Sequence, residues 1–179
     1  MLTIENTVLV VIDVQGKLAR IVYKSEEMVA NLQKLIKGAK ILGVPILLTE
    51  QYPEGLGPTI PEIKELLSGV QPISKTSFNC CNNEHFMQAL NTLNRKQVLV
   101  TGIEAHVCVY QTAINLLNFG YKVEIVADAV SSRNPEHKQI GLAKVRDAGG
   151  SVTCMETALF ELLKVAEGSK FKEIIKIVK

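Results

Sequence analysis

The sequence predicts a single three-layer α/β/α domain over residues 1–179, a parallel β-sheet with helices packed on both faces. Three observations predict it. Short, nearly continuous apolar runs of the kind buried in parallel sheets alternate about six times with segments of helical period. No repeat, linker or low-complexity stretch interrupts the alternation. The composition, 47% hydrophobic and 21% charged over 179 residues, suits one core that needs no covalent staples.

Taken in order, residues 8–12 form an apolar run that ends at Asp13, the pattern of a central parallel strand. Ser25, Glu26 and Glu27 open a helix whose acids complement its amino end; it runs to about Leu42 and stops at Gly43. Residues 45–49 form the next strand. The segment 50–58, rich in Pro and Gly, predicts a loop with no secondary structure of its own. Residues 72–74 form a short strand that delivers Lys75 at its end, and residues 84–93 form a helix. A βαβ unit follows: a strand at 98–100 closed by Thr101 and Gly102, a helix at about 106–118 stopped by Gly120, and a strand at 123–127 ending at Asp128. Asn134 before Pro135 is a helix start, an N-cap followed by Pro at the first helical position. That helix runs to about Ala148. A strand at 151–155 and helices at 157–165 and 171–178 complete the chain.

The totals exclude several classes. The formal net charge is +2 with dispersed basic residues, so no nucleic-acid footprint is present. The longest apolar run falls far short of a membrane span. Cys80, Cys81, Cys108 and Cys154 form neither a Cys-x-x-Cys pair nor a zinc-ligand spacing. With no secretory signal and no room for a transit peptide, reduced thiols in the cytoplasm are the expectation.

Open parallel sheets place ligands at the carboxyl ends of their strands. Asp13, Lys75 and Cys108 all fall at strand ends or helix starts on that edge. Singly, each has a plain structural alternative: Asp13 a helix cap, Lys75 half of an ion pair, Cys108 a small hydrophobe packing helix on sheet. Together they supply a thiol nucleophile with a base for its proton, a cation and a helix amino end. A thiol–imidazole site would need one of His85, His106 or His137. These fall on an outer helix, on the same turn as Cys108 and on a helix surface, so the Asp–Lys pair is the better activator. The loop 50–58 leaves the same edge as Asp13, and loops of that length there often bind ligands. Gln15, Tyr52, Phe78 and Tyr110 lie near this edge as candidate pocket residues, although an aromatic beside a sheet is more often core.

VVIDVQ at 10–15, Lys75 after a short strand, and GIEAHVCVYQTAINLLNFGYKVEIVADAVSSR at 102–133 resemble the isochorismatase-like cysteine hydrolase superfamily. The resemblance covers nearly the whole chain and implies a Rossmann-like six-stranded parallel sheet. It places the nucleophile on Cys108, the catalytic Asp on Asp13 and the catalytic Lys on Lys75. It also implies a cis peptide between Ile103 and Glu104, with the backbone N–H groups of Glu104 and Cys108 forming an oxyanion hole, and a homo-oligomer. Nicotinamidases in the superfamily carry an Asp-x-His…His metal site in the loop after the second strand. Here that loop reads TEQYPEGLGP, without His, so no metal and no cofactor are expected. Isochorismatase itself lacks the cysteine, which argues against vinyl-ether hydrolysis.

The expected function is a metal-independent cysteine hydrolase that cleaves a small amide or related C–N bond through a thioester. The rival from another class is a non-catalytic binding or assembly protein on the same fold. Nucleotide binding ranks last, because neither a Gly-x-Gly-x-x-Gly turn nor a phosphate loop is present.

Overall fold

A computed structural model describes all 179 residues. Six parallel strands, β1 (Thr7–Ile12), β2 (Ile46–Gln51), β3 (Ile73–Lys75), β4 (Gln97–Ile103), β5 (Lys122–Ser131) and β6 (Ser151–Thr153), form one sheet in the order β3-β2-β1-β4-β5-β6. The chain first builds outward from β1 in one direction, then returns to build from β4 in the other. The crevice left between β1 and β4, where the order reverses, is where such sheets hold ligands.

Every residue of β1 and of β4 is buried, which is why each carries an apolar run, Val8–Ile12 and Val98–Val100. Alternate side chains of each strand feed different cores. Leu9, Val11, Leu99 and Ile103 face helices α1 (Ser25–Leu42), α5 (Met155–Leu163) and α6 (Gly168–Val178). Val8, Val10, Ile12, Val98 and Val100 face α2 (Glu84–Thr92), α3 (Tyr110–Asn118) and α4 (Pro135–Asp147). Cys80 and Cys108 belong to this second core. Gly102 lies where β1 and β4 approach most closely. It has φ +102°, and a Cβ there would overlap the Ile12 carbonyl. No helix is long and apolar enough to cross a membrane.

Four local expectations are corrected. Strand β5 continues past Asp128 to Ser131, because the pairing with β4 jumps from Val100↔Ile125 to Gly102↔Val130. The bulge releases Asp128 from the ladder, and its Oδ1 accepts the Met155 N–H at 2.8 Å. That bond fixes the start of α5 at Met155, so β6 stops at Thr153 and the helix begins two residues earlier than expected. The loop after β2 is not structureless. Glu50 and Gln51 belong to the strand, and Pro53–Leu56 makes a helical turn with Pro at its first position. Finally, residues 105–109 form a π-helical turn ahead of α3, so Cys108 does not sit in the first turn of an α-helix.

Candidate active site

Asp13 directly follows β1. Its backbone is left-handed, with φ +54°, and its side chain is 2% exposed. Both carboxylate oxygens are engaged: Thr49 Oγ1 donates to Oδ1 at 2.7 Å and Lys75 Nζ to Oδ2 at 2.6 Å. Lys75 ends β3, two strands away, and its ammonium is fully buried. A buried ion pair needs its remaining protons satisfied, and here they are. Lys75 Nζ also donates to Gln51 Oε1 at 2.7 Å and, at longer range, to the carbonyls of Ser77 and Phe78 at 3.2 and 3.4 Å. With its three protons committed, Lys75 holds Asp13 and acts on the thiol only through space.

Cys108 is 6% exposed and borders this pair. Burial pushes its thiol far above the ordinary range. The Asp13 charge opposes ionisation further, and Lys75 partly offsets it. The resting side chain is therefore a thiol facing a carboxylate. Burial and Asp13 thus outweigh Lys75 at this sulfur. Behind it, the Cys80 thiol is pushed up to about 11, and Cys81, beside it in the chain, to about 12, mainly by burial in both cases.

The Ile103–Glu104 peptide bond is cis. The N–H of Glu104 donates to no backbone or side-chain acceptor in the protein. In an α-helix the N–H of Cys108 would bond the Glu104 carbonyl, but in the π turn that carbonyl accepts instead from Val107 at 3.0 Å and Val109 at 3.3 Å. The turn thus withholds the Glu104 carbonyl from Cys108. The Glu104 side chain points elsewhere, accepting Arg133 N at 3.0 Å and Nε at 3.1 Å on one oxygen and the guanidinium at 3.3 Å on the other. Burial alone would raise its carboxyl, but the Arg133 hydrogen bonds and charge outweigh that and hold it below its usual range.

The other expected site residues are dispersed around this cluster. Gln15 is wholly buried. Its Nε2 donates to the carbonyls of Gln51 (3.1 Å) and Gly57 (2.7 Å), and its Oε1 accepts Gln51 N at 2.6 Å, pinning both ends of the loop after β2. That loop lies on the edge that carries Asp13, for Leu56 crosses so close to Gly16 that a Cβ there would meet its carbonyl. Tyr52 and Phe78 each leave 54% of their surface to solvent, and the Tyr52 ring lies against Gly55. Tyr110 is half-buried, with Lys144 Nζ 5.1 Å from its ring centre. His106 Nδ1 lies 3.0 Å from Ser132 Oγ and its ring 4.9 Å from that of His137, while His85 is exposed on α2. No three His, Cys, Asp or Glu side chains gather in a metal-binding group. Sequence reasoning missed Thr49 and Gln51, which touch the Asp13–Lys75 pair directly. The signal was available: both are polar residues at the carboxyl end of a buried strand, the rule that singled out Asp13 and Lys75.

Fold and site together define a doubly wound α/β protein with a buried polar cluster on the edge where the strand order reverses. The isochorismatase domain profile matches residues 7–157, and the chain belongs to the isochorismatase family. It is 38% identical over 176 residues to mouse isochorismatase domain-containing protein 2A, covering 98% of this chain and 84% of that one. A Caenorhabditis elegans structure described as MAR1 ribonuclease superposes with a TM-score of 0.92 at 37% identity, covering 99% of this chain and 91% of the other. The Escherichia coli YcaC gene product, described as an octameric hydrolase of unknown specificity, shares the fold at a TM-score of 0.93 and 22% identity, over 98% of this chain and 89% of its own.

Proposed function

We propose that this chain is a cysteine hydrolase acting on a small amide or related C–N bond, with Cys108 as nucleophile and Asp13 as the group that takes and returns its proton. The observation that carries the reading is a buried thiol beside a carboxylate whose two oxygens are fixed by Thr49 and Lys75. As the sulfur attacks the substrate carbonyl, its proton passes to Asp13, which moves it to the departing amine. The free N–H of Glu104, with that of Cys108, stabilises the oxyanion, and the carbon–nitrogen bond breaks to leave a thioester. Water, deprotonated by Asp13, then releases the acid and restores the thiol. No step of this cycle calls for a metal or cofactor.

One observation favours a second reading, a binding or assembly protein. Asp13, Lys75 and Cys108 are all 6% exposed or less, so substrate must open a path to them. A panel of small amides, followed by intact-protein mass spectrometry, separates the two readings. A hydrolase gives an acyl adduct on Cys108 and loses turnover in Cys108→Ala. Turnover that survives this change, or no adduct from any carbonyl compound, overturns the hydrolase reading. The C. elegans protein's description as a ribonuclease makes an RNA substrate a useful parallel assay, since the arrangement here is directed at a carbonyl rather than a phosphodiester. A homo-oligomer is the proposed solution state, in keeping with the octameric description of the E. coli neighbour; light scattering measures it directly.

A further inference from the structure

We propose that Gln51 is a positioning residue: its carboxamide sets where the Lys75 ammonium stands against Asp13 and Cys108, and ties that position to the loop after β2. The inference rests on the reading of Cys108 as nucleophile. Gln51 closes β2, next to both β1 and β3, and its side chain bridges two polar groups of opposite demand. Oε1 accepts from Lys75 Nζ at 2.7 Å, and Nε2 donates to the Thr76 carbonyl at 2.7 Å. A carboxamide turned over would set its N–H groups against an ammonium and its oxygen against a carbonyl, so the network permits one orientation.

The backbone of Gln51 is held as firmly. Its N–H donates to Gln15 Oε1 at 2.6 Å and its carbonyl accepts Gln15 Nε2 at 3.1 Å. Gln15 stands two residues beyond Asp13 and also holds Gly57, at the far end of the loop. A closed circuit results: Asp13 to Gln15 along the chain, Gln15 to Gln51, Gln51 to Lys75, and Lys75 back to Asp13. The segment Pro53–Leu56 has no buried residue of its own, so the loop is held at its two ends: by these polar ties, by the Glu50 carboxylate, which accepts Thr59 N and Oγ1 at 2.7 Å each, and by backbone bonds from Tyr52 N to Lys75, Gly16 N to Pro58 and Ile60 N to Val14. A displacement of the loop's root therefore reaches Lys75 through Gln51.

The residue type matters. Lys75 offers three protons, and Asp13 and Gln51 take the two shortest bonds. A neutral acceptor anchors the ammonium without dividing its charge. A carboxylate in the same place would compete with Asp13 for it and add a second anion near the thiol. Losing the acceptor altogether would leave the Ser77 and Phe78 carbonyls to draw the ammonium off Asp13.

The test follows Cys108 alkylation by iodoacetamide across pH, read by mass spectrometry on the full-length protein, in wild type, Gln51→Glu and Gln51→Met. Melting temperatures are taken in parallel. The inference expects Gln51→Glu to displace the alkylation profile upward by about one pH unit, a rate roughly tenfold lower at a fixed pH. Gln51→Met should move it in the same direction by less. A residue that only braces the loop would lower the melting temperature of both variants and leave the profile where it is, and that result overturns the inference. Alkylation in wild type that spares Cys108 overturns it at its base, through the nucleophile assignment itself.

Discussion

Replacing Asp13 by Asn separates the two effects of its carboxylate on Cys108. The amide keeps the volume and one acceptor but loses the charge. Burial still holds the thiol up, while the contribution of the Asp13 charge disappears. Lys75, which favours the thiolate, remains without its counter-ion. A unit charge at about 4 Å is worth roughly 4 kcal/mol at an effective dielectric constant near 20. At about 1.4 kcal/mol per pKa unit that is close to three units, of which local relaxation can absorb the larger part. At least one unit should survive. Iodoacetamide should then alkylate Cys108 about tenfold faster than in wild type near pH 7.5, measured as adduct formation over time with Cys80, Cys81 and Cys154 resolved by peptide mapping. Turnover of any amide substrate should fall by about 10²–10⁴ with loss of the general base. A variant that alkylates more slowly than wild type would refute the reasoning, because Asp13 would then promote the thiolate rather than oppose it.

Lys75→Met removes the one contribution that lowers the Cys108 thiol, so alkylation should slow, and it leaves Asp13 as an unpaired buried charge. Urea unfolding should show a loss of about 3–5 kcal/mol. Glu104 is held below its usual range by Arg133, so its contribution to stability is present above the ordinary carboxylate pKa and is lost as pH falls through the lower folded value. Because Arg133 is largely exposed, Arg133→Met should cost only about 1 kcal/mol at pH 7. The difference in melting temperature between variant and wild type should close below about pH 4. Gly102→Ala places a methyl group in the Ile12 carbonyl at a backbone conformation that L-residues avoid. It should destabilise by more than about 4 kcal/mol, seen as loss of soluble protein or of a cooperative melt.

The parts of the fold legible in sequence are those whose cause is local. Helix α1 reads correctly at both ends because eighteen residues of helical period, two acids and a following Gly all agree. Strand β1 and the centre of β4 read correctly because burial on both faces leaves an apolar run, but β4 continues through Thr101 and Gly102, which look like its end, to Ile103. The bulge in β5 does not, since it is a matter of register with β4, and an Asp in mid-strand looks like a strand's end. The π turn differs from an α turn by a single hydrogen-bond partner. Within the site, Asp13 and Lys75 declared themselves as charges closing apolar runs. Gln51 sits at a strand's carboxyl end like them but carries no charge, and the partners it and Gln15 hold become visible only once three strands are side by side. The protonation state of Cys108 stays open in the sequence for a related reason: the helix amino end is visible along the chain, whereas the depth of burial and the reach of the Asp13 carboxylate come from across the sheet.

The raised thiols bear on how this protein survives oxidation. Peroxide attacks thiolate far faster than thiol, and the path to sulfenic and higher acids begins there. Cys80, Cys81 and Cys108 are all kept protonated well above neutral pH. An enzyme that stores a ready thiolate is spent by an oxidising burst, whereas a sulfur that surrenders its proton only during attack on a carbonyl is spared between turnovers. Cys154, partly buried, follows β6 on the opposite edge of the sheet from Lys75.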